Sequence, residues 1–235
     1  MLTARAGLPR RLLAELIGTA LLVTSVVGSG IMAARLSPDD VGLQLLQNST
    51  ATVLALTVLI LVFGPVSGAH FNPVVTAVDW WLHRGGSLGG VAAYAAAQTV
   101  GAVAGALLAN AMFGVPAAVS GRVREGANLW LGETVATAGL VLLIFALVRT
   151  GRAALAAPAV GAYIGAAYWF TSSTSFANPA VTIGRTFTDT FAGIAPASVA
   201  PFIAAQVIGA FIGAGLVVAL YPAPVSQPVA ASDLR

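Results

Sequence analysis

Two asparagines, Asn72 and Asn178, each open the same short phrase, Asn-Pro-(Val/Ala)-Val-Thr, and stand 106 residues apart. An asparagine followed by proline is a helix start. Its side-chain oxygen accepts from the first free backbone N–H groups, and Pro73 or Pro179 at the first helical position gives up an N–H that the helix would not use. The asparagine NH2 remains a donor. Two such starts meeting inside a low-dielectric interior would bring together two amide donors and two helix N-termini, each worth about half a positive charge. That point suits the oxygen of water or of a hydroxyl and repels a cation. Val74 and Ala180 complete the two triplets. The segments before them, Gly64-Pro65-Val66-Ser67-Gly68 and Ser172-Ser173-Thr174-Ser175, are breaker-rich. Both are expected to be non-helical, with carbonyls offered to the same space as a ladder of acceptors.

A second polar set lies inside apolar runs. Glu15 and Glu133 occur in Ala14-Glu15-Leu16-Ile17-Gly18-Thr19 and Gly132-Glu133-Thr134-Val135-Ala136-Thr137, and Gln98 and Gln206 follow Ala-Ala pairs. A carboxylate at membrane depth is expensive and functional by default. It either titrates in a coupled transport cycle or accepts from the free N–H groups of a re-entrant loop. The matched placement of the pairs favours the second reading, with Gln98 and Gln206 as further struts.

The elements that must position these residues follow from composition. Of 235 residues, 58% are hydrophobic and 8% charged, against about 25% charged in soluble domains. Uncharged stretches of about twenty residues predict spans at about 12–34, 44–66, 89–113, 129–148, 154–170 and 199–221. The first is long for a signal peptide and is expected to be a true span. All eleven basic residues are arginine and there is no cysteine, so a disulfide framework and a cysteine metal site are excluded. The arginines form no basic stripe, and no nucleic-acid partner is expected. No nucleophile–base pair is visible, so neither enzyme activity nor a cofactor or metal is expected.

The two halves repeat. Glu15 and Glu133, Asn72 and Asn178, and Gln98 and Gln206 are offset by 118, 106 and 108 residues. Three spans per copy force the second copy to enter from the opposite face, an inverted repeat whose shared site lies at the bilayer midplane. The chain is therefore expected to be a single all-α membrane domain, 1–235. Its copies cover about 8–113 and 128–221, each with one re-entrant half-helix, and a disordered tail covers about 222–235. The first half-helix should run to about Leu82 and the second to about Thr188, where Gly193-Ile194-Ala195-Pro196 stops it. Seven arginines fall on the side of the termini and four on the other, which places both termini in the cytoplasm. Gly101, Gly105, Gly209 and Gly213 suit close helix packing. His70 either lines the inner vestibule or bonds backbone.

Taken together, the two Asn-Pro phrases, Ser67-Gly68-Ala69-His70-Phe71-Asn72-Pro73, the Glu and Gln pairs and the inverted repeat resemble the aquaporins, the major intrinsic protein family. The resemblance covers all six spans. It implies six tilted helices and two half-helices, a pore in each subunit of a homotetramer, and a plasma-membrane (inner-membrane) location. Val74 departs from the usual alanine. The family resemblance also implies an outer filter with an arginine after the second triplet, where this chain has Val181. The other filter positions map to Thr52, Ser175 and, in span 5, Ala166 within Gly165-Ala166-Ala167. Such a filter is expected to be wide and uncharged. The stretch from Tyr168 to Val181, continuing to Gly193, resembles a bacterial branch associated with arsenic resistance, which implies trivalent arsenicals such as arsenite beside water and glycerol-like polyols. Arg185, one turn beyond Val181, either turns back to the pore mouth or snorkels to the interface. The alternatives are a water-selective aquaporin and an ion-coupled secondary transporter. The latter would need a titrating group in the permeation path.

Overall fold

The computed structural model describes residues 6–83 and 86–222. Arg5, Arg84, Arg235, Gly85 and the tail beyond Pro222 lie outside the described residues. Among the described residues eight α-helices follow in order. They are α1 (Leu8–Leu36), α2 (Val41–Ser67), α3 (Pro73–His83), α4 (Leu88–Met112), α5 (Ala127–Arg149), α6 (Ala156–Phe170), α7 (Pro179–Gly184) and α8 (Pro196–Leu220). Short 3-10 turns precede α6 at Ala153–Leu155 and follow α7 at Arg185–Phe187. Counting the turn before α6 with it, six helices are long and apolar enough to cross a membrane. α3 and α7 are not among them. The outward face of α2 carries Leu54, Val58 and Leu61, each more than half exposed. Water would penalise that surface and lipid does not. The chain is a multi-pass membrane protein.

The helix ends have local causes. Asp40 accepts from Leu43 N at 2.8 Å and starts α2. Ser87 accepts from Gly90 N at 3.1 Å and starts α4. Arg149, at the end of α5, donates to the carbonyls of Val217 and Tyr221 at the end of α8, where cations suit the free C-terminal carbonyls. Two proline expectations need correction. Pro65 does not break its helix. α2 runs through it to Ser67 and closes with Gly68 N donating to Gly64 O at 3.0 Å, Gly68 being left-handed at φ 93°. Only one ladder bond is lost, and the non-helical segment begins at Gly68. Pro196 is not a stop either. It is the first residue of α8, the position where proline costs nothing.

The two copies pack alike. α1 lies on α4 and α5 on α8, while α7 packs against α4 and α3 against α8. Glycines permit the first two contacts. A Cβ on Gly101 would sit 2.3 Å from the Leu16 carbonyl oxygen, and one on Gly209 2.5 Å from that of Thr134. The backbones are in contact, and α1 and α5 are thereby held close enough for their glutamates to reach the loops. Gly209→Ala should therefore overpack the α5–α8 seam and lower stability by about 1–3 kcal/mol, whereas Gly215→Ala, on the same helix with nothing within 4 Å of its added Cβ, should not. Thermal melting of the two purified variants in one detergent checks this; equal melting temperatures would refute the seam argument.

Candidate functional site

The half-helices α3 and α7 start next to each other. Asn72 Oδ1 accepts from Val74 N at 3.1 Å. Asn178 Oδ1 accepts from Ala180 N and Val181 N at 3.0 and 3.2 Å. Each asparagine also reaches across the repeat. Asn72 Nδ2 donates to Ala177 O and Asn178 Nδ2 to Phe71 O, both at 2.7 Å. One N–H of each amide is thus spent on the opposing loop. The other has no described acceptor, and both side chains line a cavity. The asparagines were expected to serve as caps and pore donors; this mutual cross-link comes in addition.

Around them the polar pairs do equivalent jobs. Glu15 accepts from Ser67 Oγ (2.6 Å), His70 N (3.0 Å), Phe71 N (2.7 Å) and Gln98 Nε2 (2.7 Å). Glu133 accepts from Phe176 N (2.8 Å), Ala177 N (2.8 Å) and Gln206 Nε2 (2.6 Å). Both carboxylates are fully buried, and neither lines the cavity. The threonine that ends each phrase now has a reason. Thr76 and Thr182 donate to the carbonyls of their own asparagines and accept from Gln98 and Gln206. Each half-helix is tied to a glutamate of one span through a glutamine of another.

The loops turn by repeated left-handed residues. Ala69 and Phe71 have φ of 50°, and their counterparts Ser175 and Ala177 have 52° and 48°. Non-glycine residues hold such angles only where surroundings over-determine them, here through the N–H bonds to Glu15 and Glu133. The cavity these loops border holds about 120 Å3, below the 300–1,000 Å3 common for drug-sized ligands. Its opposite wall is apolar, with Leu22, Val26, Leu56, Ile60, Leu140 and Ile144.

A small cavity, one apolar wall, and two Asn-Pro half-helices joined tip to tip define the architecture. The family model described as Major intrinsic protein matches residues 3–177. The chain belongs to the major intrinsic protein family. It is 50% identical over 204 residues, 86% of each chain, to "Aquaglyceroporin AqpS" of Rhizobium meliloti (strain 1021). It is 34% identical over 140 residues to "Probable aquaporin NIP7-1" of Arabidopsis thaliana, covering 59% of this chain and 50% of that protein. In fold it is similar to the X-ray structure of the aquaglyceroporin from Plasmodium falciparum, at TM-score 0.68 and 20% identity, over 90% of this chain and 96% of that one.

Within this major intrinsic protein, the positions expected to form a filter divide. Thr52, Ser175 and Val181 line the cavity, as does His70. His70 Nδ1 pairs with Thr76 Oγ1 at 3.1 Å, while its backbone N–H goes to Glu15. Ala166 is a correction: it lies on the exposed face of α6. The wall from that helix is Ile164 and Tyr168, four apart and therefore on one face, with Ala166 turned away from both. Tyr168 hydroxyl and Thr52 Oγ1 share a hydrogen bond at 3.2 Å. A tyrosine hydroxyl in an apolar run needs a partner, and that was the available signal. The expectation of a wide, uncharged filter is also corrected, because Arg185 lines the cavity and is buried rather than at the interface. It stacks on Phe176, as does Arg124. Burial, reinforced by Arg122, pushes the Arg124 guanidinium down to about 10, so it stays charged at neutral pH.

If Glu133 is an acceptor and not a titrating group, Glu133→Ala should leave three buried donors unpaired. The cost would be at least about 3 kcal/mol, read as a lower melting temperature. Glu133→Gln, which retains one acceptor, should lose less and show no change in the pH dependence of flux. A flux that loses its dependence on a proton gradient in Glu133→Gln would instead make it a transport carboxylate.

Proposed function

We propose that the protein is a passive channel for small neutral solutes, namely water, glycerol-like polyols and trivalent arsenicals such as arsenite. The observation that carries this reading is the cavity bordered at once by Asn72, Asn178 and Val181. A solute there meets one free amide N–H from each asparagine, loop carbonyls that can accept its hydroxyl protons, and an apolar wall opposite. Arsenite is a neutral trihydroxide at neutral pH and presents the same groups as a polyol. Two helix N-termini at the same point oppose the entry of cations. The name of the Rhizobium meliloti relative, an aquaglyceroporin, supports solutes larger than water. The carboxylates lie out of the passage, which weighs against ion-coupled transport. The subunits are proposed to form a homotetramer in the bacterial inner membrane with both termini cytoplasmic, on the family architecture and the arginine asymmetry of the sequence.

A second reading, a water-selective channel, is favoured by one observation. Tyr168 and Arg185 both border the cavity where small residues were expected, and large side chains narrow it. Purified protein in proteoliposomes separates the two through swelling with water, glycerol uptake and arsenite uptake. The expected outcome is transport of all three without a proton or sodium gradient. Val181→Arg should lower glycerol and arsenite entry by about tenfold or more while changing water permeability by less than about threefold, because a long charged side chain closes a solute-sized opening before a water-sized one. Water flux without glycerol or arsenite flux in the unmodified protein would establish the water-selective reading.

A further inference from the structure

We propose that the groove between α3, α4 and α8 is a lipid site. In it, one acyl chain of a phospholipid, from the leaflet on the side of the termini, completes the packing of half-helix α3. Such a site is independent of what the passage carries.

The groove arises where the two copies differ. In the second copy α7 lies directly on α4: a Cβ on Gly184 would sit 2.7 Å from the backbone carbonyl of Ala102. At the repeat offsets of 106 and 108, the matching residues of the first copy are Val78 and Ala210. Valine stands where the other copy has glycine, so α3 cannot approach α8 as α7 approaches α4. The space left between them holds about 310 Å3, and Val78 and Ala210 both line it. It is larger than the cavity at the asparagines, about 120 Å3, and shares no lining residue with it.

The lining selects the occupant. Every side chain that lines the groove is aliphatic or aromatic, and their polar atoms are the indole N–H groups of Trp80 and Trp81. Water there would lack the two to four polar partners it needs. The groove is open on its outer side, where Ala77 and Trp81 of α3 and Val207 and Phe211 of the membrane-spanning α8 are exposed. Lipid is what meets that opening. From Val74 to Trp81 the groove follows α3 for about 10 Å at 1.5 Å per residue, within the roughly 15 Å of one leaflet's hydrocarbon. Trp81 and Phe211 meet edge to face across it, with ring centres 6.4 Å apart. The helix of a second copy, about 10–12 Å across, is too wide to enter, whereas an acyl chain is narrow and flexible. Trp80 and Val91 also line an adjoining polar recess with Arg11 and Asp79. An apolar groove that adjoins a recess with both signs of charge matches a phospholipid with a zwitterionic headgroup. The gain is not transfer from water, since lipid is already apolar; it is the dispersion contact that an unfilled groove forfeits.

The experiment uses the full chain in detergent, titrated with phosphatidylcholine brominated midway along one acyl chain, with tryptophan fluorescence as the readout. Trp130→Phe and Trp169→Phe, both outside the groove, leave Trp80 and Trp81 as the emitters. In this background quenching should saturate at one lipid per subunit, and unbrominated phosphatidylcholine should reverse it. The same lipid should raise the melting temperature, because it binds the folded chain. Ala77→Phe, added to that background, places a ring in the groove from an exposed position. It should weaken the saturable quenching by about tenfold or more, because the ring takes the volume the chain would occupy, and should remove the lipid-dependent rise in melting temperature. Quenching that climbs without saturating, or saturable quenching that Ala77→Phe leaves unchanged, would overturn the proposal. A groove already filled by side chains of a neighbouring subunit would overturn it too, and would show as no saturable quenching together with loss of the oligomer in Ala77→Phe. If Ala77→Phe fails to fold, Val207→Phe, from the facing wall, decides by the same criterion.

Discussion

Everything in this structure depends on how two stretches of non-helical backbone are tolerated at membrane depth. Residues 69–72 and 172–178 cannot use helix bonds, and lipid offers no acceptor for their N–H groups. Glu15 and Glu133 supply the acceptors, taking the N–H groups of residues 70 and 71 and of residues 176 and 177. An anion is well suited, because charge-assisted bonds are stronger than neutral ones. Each remaining part of the site follows from this arrangement. With these N–H groups held by the glutamates, one carbonyl of each loop, Phe71 O and Ala177 O, is free to accept from the opposing asparagine.

The asparagines resolve the meeting of the two copies. A half-helix of six residues such as α7 has little stability of its own. It persists because its cap, Asn178, is bonded to the other loop, because Thr182 is bonded through Gln206 to Glu133, and because Arg185 is stacked on Phe176. The same polar groups that hold the fold therefore shape the passage. One N–H of each asparagine amide is bonded to the opposing loop, and the other has no described acceptor on a side chain that lines the cavity.

Much of this was legible in the chain. The helix starts at Pro73 and Pro179, the paired Glu and Gln, and the glycines of α4 and α8 announce themselves by residue type and by recurrence at nearly constant offset. The positions where the structure departs from the sequence expectation share one feature. Pro65 and Pro196 are punctuation whose meaning depends on where the helix lies relative to them, one ending a turn after proline and the other starting on it. Ala166 is the position that the family resemblance implies, yet a shift of two residues turns a helical side chain to the far face. Tyr168 became a wall residue only through Thr52, 116 positions away.

The sequence by itself determined the class of the molecule: six apolar spans, two capped half-helices in inverted copies, and buried acceptors for their loops. These are properties of local composition and of repetition, which need no knowledge of neighbours. Tertiary structure alone decided what the passage offers a solute. Arg185 could have reached the membrane interface or the pore, and its direction is set by Ala192 O and the Phe176 ring. The free donors and the width of the passage depend on side chains from α2, α6, α7 and both loops converging on one point. Contacts between residues so far apart along the chain leave no period or motif in it, because each is made by packing and not by spacing.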